Sequence, residues 1–248
     1  GIVGMSTALH LRRANPSAKI VLIERGYLPT GASTKNAGFT CFGSPSEILD
    51  DISNFGIENI KETILLRWRG LETLKSRLGN DNMGYSSCGS YDLFTEKDKD
   101  SYIECNNQLS FLNDLIFEIT GLKNCYSAVE NIESLGFNGI IGAIYNQYEG
   151  SIDTGLMMKN LLAMAANNNI QILNSITVNK ITSQQSNVTV HTDFGDLSAN
   201  NVMICTNGLT KLLYPEIPLL PARAQVIVTS PIDNLKLNST YHYDKGYY

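Results

Sequence analysis

The spacing of apolar and polar positions along the 248 residues changes period several times. In GIVGMSTALHLRR, Met5, Ala8, Leu9 and Leu11 recur at helical spacing, which predicts a helix over residues 4–14 with one face on a sheet. Asn15-Pro16-Ser17 reads as a stop and turn, and KIVLIE (19–24) as a buried β-branched strand. Residues 25–43, rich in Gly, Ser, Thr and Asn, predict a long irregular loop of the kind that usually serves function. Helical spacing returns between Pro45 and Gly79, in two pieces broken at Phe55-Gly56. Ile57, Ile60, Ile64, Leu65, Trp68, Leu71, Leu74 and Leu78 form the apolar stripe of the second piece, with Trp68 as a core anchor.

Tyr85 to Phe94 predicts a strand, and Thr95 to about Thr120 a single helix capped by Thr95. Residues 125–148 read as short strands and turns. GSIDTGLMMKNLLAMAANNN predicts a helix capped by Asp153, and residues 170–204 a succession of strands (IQIL, ITVNKI, NVTVHT, LSANNVMI).

Apolar residues at 43% and charged residues at 17% describe globular material. A net charge of −5, with Arg12-Arg13 the only adjacent basic pair, argues against nucleic acid as a partner. Five scattered cysteines without a Cys-x-x-Cys pair predict reduced, structural thiols in a cytoplasmic protein. His10, His191 and His242 have no metal-ligand spacing, so no metal site is expected. Apolar runs such as residues 140–144 are too short to span a bilayer.

The chemistry begins at Gly1. Gly1, Ile2, Val3 and Gly4 match the second half of a Gly-x-Gly-x-x-Gly turn, which places a pyrophosphate on free N–H groups at a helix N-terminus. Opening in mid-motif implies a strand and a first glycine upstream. Glu24 ends the next strand twenty residues after Gly4, where a carboxylate accepts from ribose hydroxyls and disfavours a 2′-phosphate, hence NADP. Two readings stand at this point, a dinucleotide-binding βαβ unit and a coincidental one; the order of helix, strand and Glu24 favours the first.

GIVGMSTALHLRR, IVLIER and GASTKNAGF together resemble the D-amino acid oxidase family of FAD-dependent oxidoreductases, nearest its glycine oxidase, sarcosine oxidase and gamma-glutamylputrescine oxidase-like branch. The resemblance implies FAD as cofactor, with Arg25 near the adenosine and Gly31, Ala32, Ser33 and Thr34 near the pyrophosphate and ribityl chain. It sets Asn36, Ala37, Gly38 and Phe39 near the ring system, the backbone of Val178 near adenine, and Thr206, Asn207 and Gly208 in a turn under the cofactor. Cys205 reads as a buried small residue rather than a nucleophile. LPARAQVIVTSP resembles the family's exit to the substrate domain. Arg223 there either braces the junction or binds a substrate carboxylate, and Tyr247 and Tyr248 are either pocket residues or ordinary strand aromatics.

The implied architecture is α/β: a Rossmann-like FAD-binding domain (1–45 and 150–215) interleaved with a mixed α+β substrate domain (80–149 and 216–248), with 46–79 a helical connection. The family continues beyond HYDKGYY into more substrate sheet and a final flavin segment, so this stretch alone is not expected to turn over. The implied activity is oxidation of the C–N bond of a small amine or amino acid, with flavin reoxidised by O2 to give H2O2. This chemistry demands no His or carboxylate base, and no catalytic residue is assigned. The alternatives are a hydroxy acid or polyol dehydrogenase with a quinone or protein acceptor, and a non-catalytic flavin-binding subunit.

Overall fold

In the computed structural model, which describes residues 1–185, 187–222, 225–235 and 237–245, the elements run in chain order as follows. They are α1 (Ile2–Ala14), β1 (Val21–Ile23), α2 (Pro45–Phe55), α3 (Ile57–Leu78), β2 (Ser90–Thr95), α4 (Lys99–Asn107), α5 (Leu109–Thr120) and β3 (Tyr126–Ala128). Then come β4 (Ile140–Asn146), α6 (Thr154–Asn167), β5 (Gln171–Leu173), β6 (Val178–Ser183), β7 (Val188–Thr192), β8 (Gly195–Ala199), α7 (Thr210–Leu213) and β9 (Thr240–Tyr243). The chain divides into two units, residues 1–37 with 154–230, and residues 38–153 with 231–248.

In the first unit, Met5, Ala8 and Leu9 of α1 are buried, as are Met157, Met158, Leu161 and Ala165 of α6, and the two helices pack on each other. Beside them β1 pairs in parallel with β5, Leu22 opposite Ile172. Parallel pairing requires a long crossover, and here the chain between the strands includes residues 38–153 of the other unit. Strands β6, β7 and β8 form a separate antiparallel sheet. Arg12 ties the helix ends together. Its guanidinium donates to the carbonyls of Asn168 (2.9 Å) and Asn169 (3.0 Å) just past α6, and to those of Pro16 and Ala18 (2.7 Å each) in the turn after α1. A planar cation with five donors suits this cluster of orphan carbonyls at two helix C-termini.

In the second unit, sheet order is β3-β4-β2-β9, with β3, β4 and β2 antiparallel and β9 parallel to β2. The helices contribute Ile48 (α2), Ile60 and Ile64 (α3), and Leu112, Leu115 and Ile116 (α5) to a core shared with Phe42, Phe94, Tyr126 and Ile144. Ser44 caps α2, its hydroxyl accepting from the Glu47 N–H. Gly56, at φ 81°, breaks α2 from α3 where the sequence places the break. Trp68 is half-buried, edge-on to Phe42 with ring centroids 5.6 Å apart.

Several sequence expectations differ from the structure. Leu11 is 45% exposed, because the Met5–Ala8–Leu9 stripe already satisfies the narrow contact with α6. The strand expected over 19–24 is three residues long, and β5 is its single ladder partner among the described residues. The helix expected from Thr95 to Thr120 starts with a Thr95–Asp98 capping box and is divided at Gln108 into α4 and α5. The strand expected over 85–94 is regular only from Ser90, preceded by a Ser86–Ser151 bridge. Residues 201–206 join no ladder among the described residues. Helices α2 and α3 lie within the second unit because their apolar stripes pack into its core, not in a separate connection, and residues 216–230 fall with the first unit.

Arg12→Ala is expected to lower stability by about 1–3 kcal/mol, the scale of hydrogen bonds from a charged donor. Arg12→Lys should restore only part of it, since an ammonium lacks the fork. Urea unfolding of the three proteins measures both.

Candidate functional site

The start of α1 collects most of the first unit's candidate residues. Gly1, its N-cap, has no side chain, and the first turn carries no acidic residue. Ser33 supplies one acceptor, taking the Ile2 N–H on its Oγ at 2.9 Å. The N–H groups of Val3 and Gly4 meet no acceptor among the described residues, and Val3 is 62% exposed. Ser33 is held there by a tight turn: the N–H groups of Thr34 and Lys35 donate to Gly31 O, Thr34 Oγ1 to Pro29 O, and Asn36 Nδ2 to Ala32 O. Thr154 Oγ1 donates to Thr34 O at 3.3 Å, tying the turn to the start of α6.

Glu24 closes the other side. Its N–H donates to Leu173 O and its carbonyl accepts from Ile176 N–H, so it sits where β1 ends. Oε1 accepts from the Gly26 N–H at 2.9 Å, which aims Oε2 back to 3.7 Å from Gly1 N. The neighbouring Ile176 leads into β6, which begins at Val178. Cys205 lies against Gly4, where an added Cβ would meet its Cβ at 3.5 Å and Leu22 at 3.8 Å, so alanine would fit there and nothing much larger. Thr206, Asn207 and Gly208 follow in a tight turn, with Asn207 left-handed at φ 48° and Gly208 pressed toward Pro221.

Free helix N–H groups, a hydroxyl beside them and a carboxylate at the end of the adjoining strand fit a dinucleotide. The pyrophosphate would take the Val3 and Gly4 N–H groups, and Glu24 would take the ribose. Gly1, Ile2, Val3, Gly4, Glu24 and Ser33 are thus brought together. Val178 and Thr206–Gly208 are reached through Ile176 and Cys205. Gly38 and Phe39 belong to the second unit. Arg223, Tyr247 and Tyr248 lie outside the described residues.

The second unit contains a polar cluster that sequence reasoning missed. Glu149 is fully buried. Its Oε1 accepts from the N–H groups of Phe42 (2.9 Å) and Gly43 (3.3 Å), and its Oε2 from the Ser90 hydroxyl (2.5 Å). His242 Nε2 lies 3.7 Å from Oε2, and the ring stands edge-on to Phe39 with centroids 5.1 Å apart. Burial pushes Glu149 up to about 7 against the pull of these hydrogen bonds, and lowers His242. Both shifts favour neutral forms, so the two are not a fixed ion pair. Asp92, opposite His242 in the β2–β9 register, accepts from Ser46 N–H and is pushed up to about 6 by burial. The available signal was the single carboxylate in YNQYEG and the lone imidazole alternating with tyrosines in TYHY.

The five cysteines are free thiols. Burial pushes Cys41 and Cys105 up to about 12, and Cys125 higher still, out of the reactive range. Cys205 is half-buried rather than buried, since it sits at the edge of the α1 contact. No helix among the described residues is long and apolar enough to cross a membrane.

The sequence profile of the D-amino acid oxidase-type family, described as FAD dependent oxidoreductase, matches residues 1–248. The chain belongs to this family. Its cofactor is accordingly FAD, and the choice against NADP agrees with Glu24. A search among curated proteins returned no significant match. Among solved structures, this flavoprotein is similar to L-proline dehydrogenase from P. horikoshii, at TM-score 0.69 and 14% identity, covering 98% of this chain and 62% of that one. It is similar to L-amino acid deaminase from Proteus vulgaris at TM-score 0.64 and 17% identity, covering 86% and 47%. It is also similar to glycine oxidase from Geobacillus kaustophilus at TM-score 0.61 and 19% identity, covering 86% and 55%. The flavoprotein chain thus spans roughly half to three fifths of these proteins' lengths, and the likeness is one of fold.

Two outcomes are expected. Glu24→Ala should weaken FAD retention about 10–100-fold, the worth of a charge-assisted hydrogen-bond pair, as read by flavin fluorescence on dilution. Glu149 holds its proton up to about 7 when folded and to 4.5 when unfolded, so the folded state binds more protons between those values. Stability from this group therefore falls as pH rises through that window. Glu149→Gln removes the slope, so its melting temperature relative to wild type should climb from pH 4.5 to 7. Asp92 adds a slope of the same sign between 3.8 and about 6, and His242 one of opposite sign below 6.5.

Proposed function

We propose that the protein oxidises the C–N bond of a small amine or amino acid, and that O2 reoxidises its reduced flavin to give H2O2. The observation that carries this reading is the α1 terminus. Two unpartnered N–H groups and the Glu24 carboxylate lie there, in a chain of the FAD-dependent oxidoreductase family. The similar structures, an amino acid deaminase, a glycine oxidase and a proline dehydrogenase, support the substrate class. The GASTKNAGF segment supports placement near the glycine oxidase branch.

FAD supplies the hydride acceptor, and the imine product hydrolyses to a carbonyl compound and free amine or ammonia. The chain's residues bind and orient. Val3 and Gly4 donate to the pyrophosphate, Glu24 accepts from the ribose, and Arg25 and Val178 flank the adenosine. The Gly31–Thr34 turn and Thr206–Gly208 border the linker between the rings. Asn36–Phe39 approach the isoalloxazine. The first unit serves as the FAD-binding domain and the second as the substrate domain.

A second reading changes only the acceptor: the likeness to a proline dehydrogenase favours transfer to a quinone or protein instead of O2.

Anaerobic addition of glycine, sarcosine, L-proline and a mixture of amino acids to the full-length protein should bleach the flavin spectrum. Air should then restore it with release of peroxide. Bleaching without peroxide favours the second reading, and a flavin that no amine bleaches overturns the first.

A further inference from the structure

The second unit holds a small cavity of about 40 Å³, lined by Ser46 of α2, Asp92 of β2, Ser101 of α4, Asp98 just before α4, and Asp244 and Lys245 just after β9. It has room for an ion together with a water molecule. Asp92 decides what it can hold. The residue is 2% exposed. Its Oδ2 accepts the Ser46 N–H at 3.0 Å, at the first turn of α2, where the positive end of the helix dipole also favours a carboxylate. Its Oδ1 is buried and meets no hydrogen-bond donor. A buried carboxylate oxygen left unmet is costly, and buried charges are as a rule paired or bound to a cation.

The side chains around Asp92 do not supply that cation. The groups that act on its charge, after burial itself, are hydrogen bonds from Ser46 and Ser44 and the carboxylate of Glu47. Lys245 lines the cavity but places its ammonium on Asp50, and Arg67 places its guanidinium on Glu47. Asp98 is already engaged, its Oδ2 accepting from the Thr95 N–H at 3.0 Å and the Thr95 hydroxyl at 2.6 Å. What faces the cavity is therefore mostly oxygen, in one unmet carboxylate and in the hydroxyls of Ser46 and Ser101. Oxygen donors are the ligands of hard cations. No three Asp, Glu, His or Cys side chains among the described residues come together to hold a metal ion, which weighs against a divalent cage. One buried carboxylate balances one positive charge.

We propose that Asp92, with the hydroxyls of Ser46 and Ser101, forms a site for one monovalent inorganic cation, of the class of sodium and potassium, held on Asp92 Oδ1. The bound ion ties the first turn of α2 to the middle of β2 and to α4. It stabilises the second unit by mass action, since the unfolded chain has no such site. The site lies wholly within the second unit, and it rests neither on the flavin nor on the amine-oxidation reading.

The test is the melting temperature of the full-length holoenzyme in sodium chloride, potassium chloride and tetramethylammonium chloride at equal ionic strength. The measurement is made at about pH 8, above the value of about 6 to which burial raises Asp92. Tetramethylammonium carries its charge behind methyl groups, which oxygen ligands cannot coordinate, so it reports ionic strength alone. Sodium or potassium should raise the melting temperature by about 2 °C or more over tetramethylammonium, with saturation as the ion concentration rises. Asp92→Asn should abolish the difference. Equal melting temperatures in the three salts overturn the proposal, and so does an undiminished difference in Asp92→Asn. If Asp92→Asn does not fold, crystals of the wild-type holoenzyme soaked in thallium(I) decide the matter. An anomalous peak beside Asp92 Oδ1 is expected, and a water molecule alone in that place overturns the proposal.

Discussion

The first unit depends on parallel pairing between β1 and β5, whose facing residues Val21 and Gln171 are 150 positions apart. Parallel strands have no tight-turn connection, so the chain must leave and return. The entropy of closing so long a loop grows only logarithmically, about 0.6 kcal/mol per doubling, so a whole second unit is accommodated between the strands at small extra cost. The closure is held by specific bonds rather than by a wide core. Glu24 bonds to Leu173 and Ile176, Arg12 to Asn168 and Asn169, and Thr154 to Thr34. Each joins a residue before 38 to one after 153, and together they fix where the candidate site forms.

The second unit faces the opposite problem, since its central carboxyl is buried. An unpaired ionised carboxylate would be very costly there. Glu149 meets the cost in two ways: three donors satisfy its oxygens, and its proton affinity rises so that it is largely uncharged below neutral pH. What the arrangement provides is direction. Backbone donors of Phe42 and Gly43 bind one oxygen and the Ser90 hydroxyl the other, so the loop entering α2 is registered against strand β2. Tyr126 adds a further constraint, its hydroxyl donating to Gly43 O at 2.6 Å.

Much of this was legible in the sequence where local pattern and tertiary packing agree. The α2/α3 break at Gly56, the cap at Thr95, and the β6–β7–β8 succession of strands were readable because turn chemistry and periodicity act within a few residues. Glu24 was singled out by motif order, and Ser33 by the family resemblance of GASTKNAGF. Leu11 and residues 201–206 were not legible, because whether an apolar residue is covered depends on a neighbour that periodicity does not name. Arg12 was read only as a charge, since two of its four carbonyl partners, Asn168 and Asn169, lie more than 150 positions away. Glu149 and His242 were missed for a related reason. A single carboxylate after Tyr148 and a single imidazole between Tyr241 and Tyr243 become a pair only when β9 is laid beside β2.

The α1 helix joins these themes. Its last turn carries Arg12 and Arg13, complementary to the negative end of the dipole, while its first turn has no acidic residue and no capping side chain of its own. A helix stabilised at only one end is an incomplete design unless something else meets the other. Ser33 meets one donor and leaves those of Val3 and Gly4. An anionic cofactor bound there would complete the helix and, by mass action, would stabilise the folded state over the unfolded. FAD would therefore be part of the first unit's structure as well as its reagent.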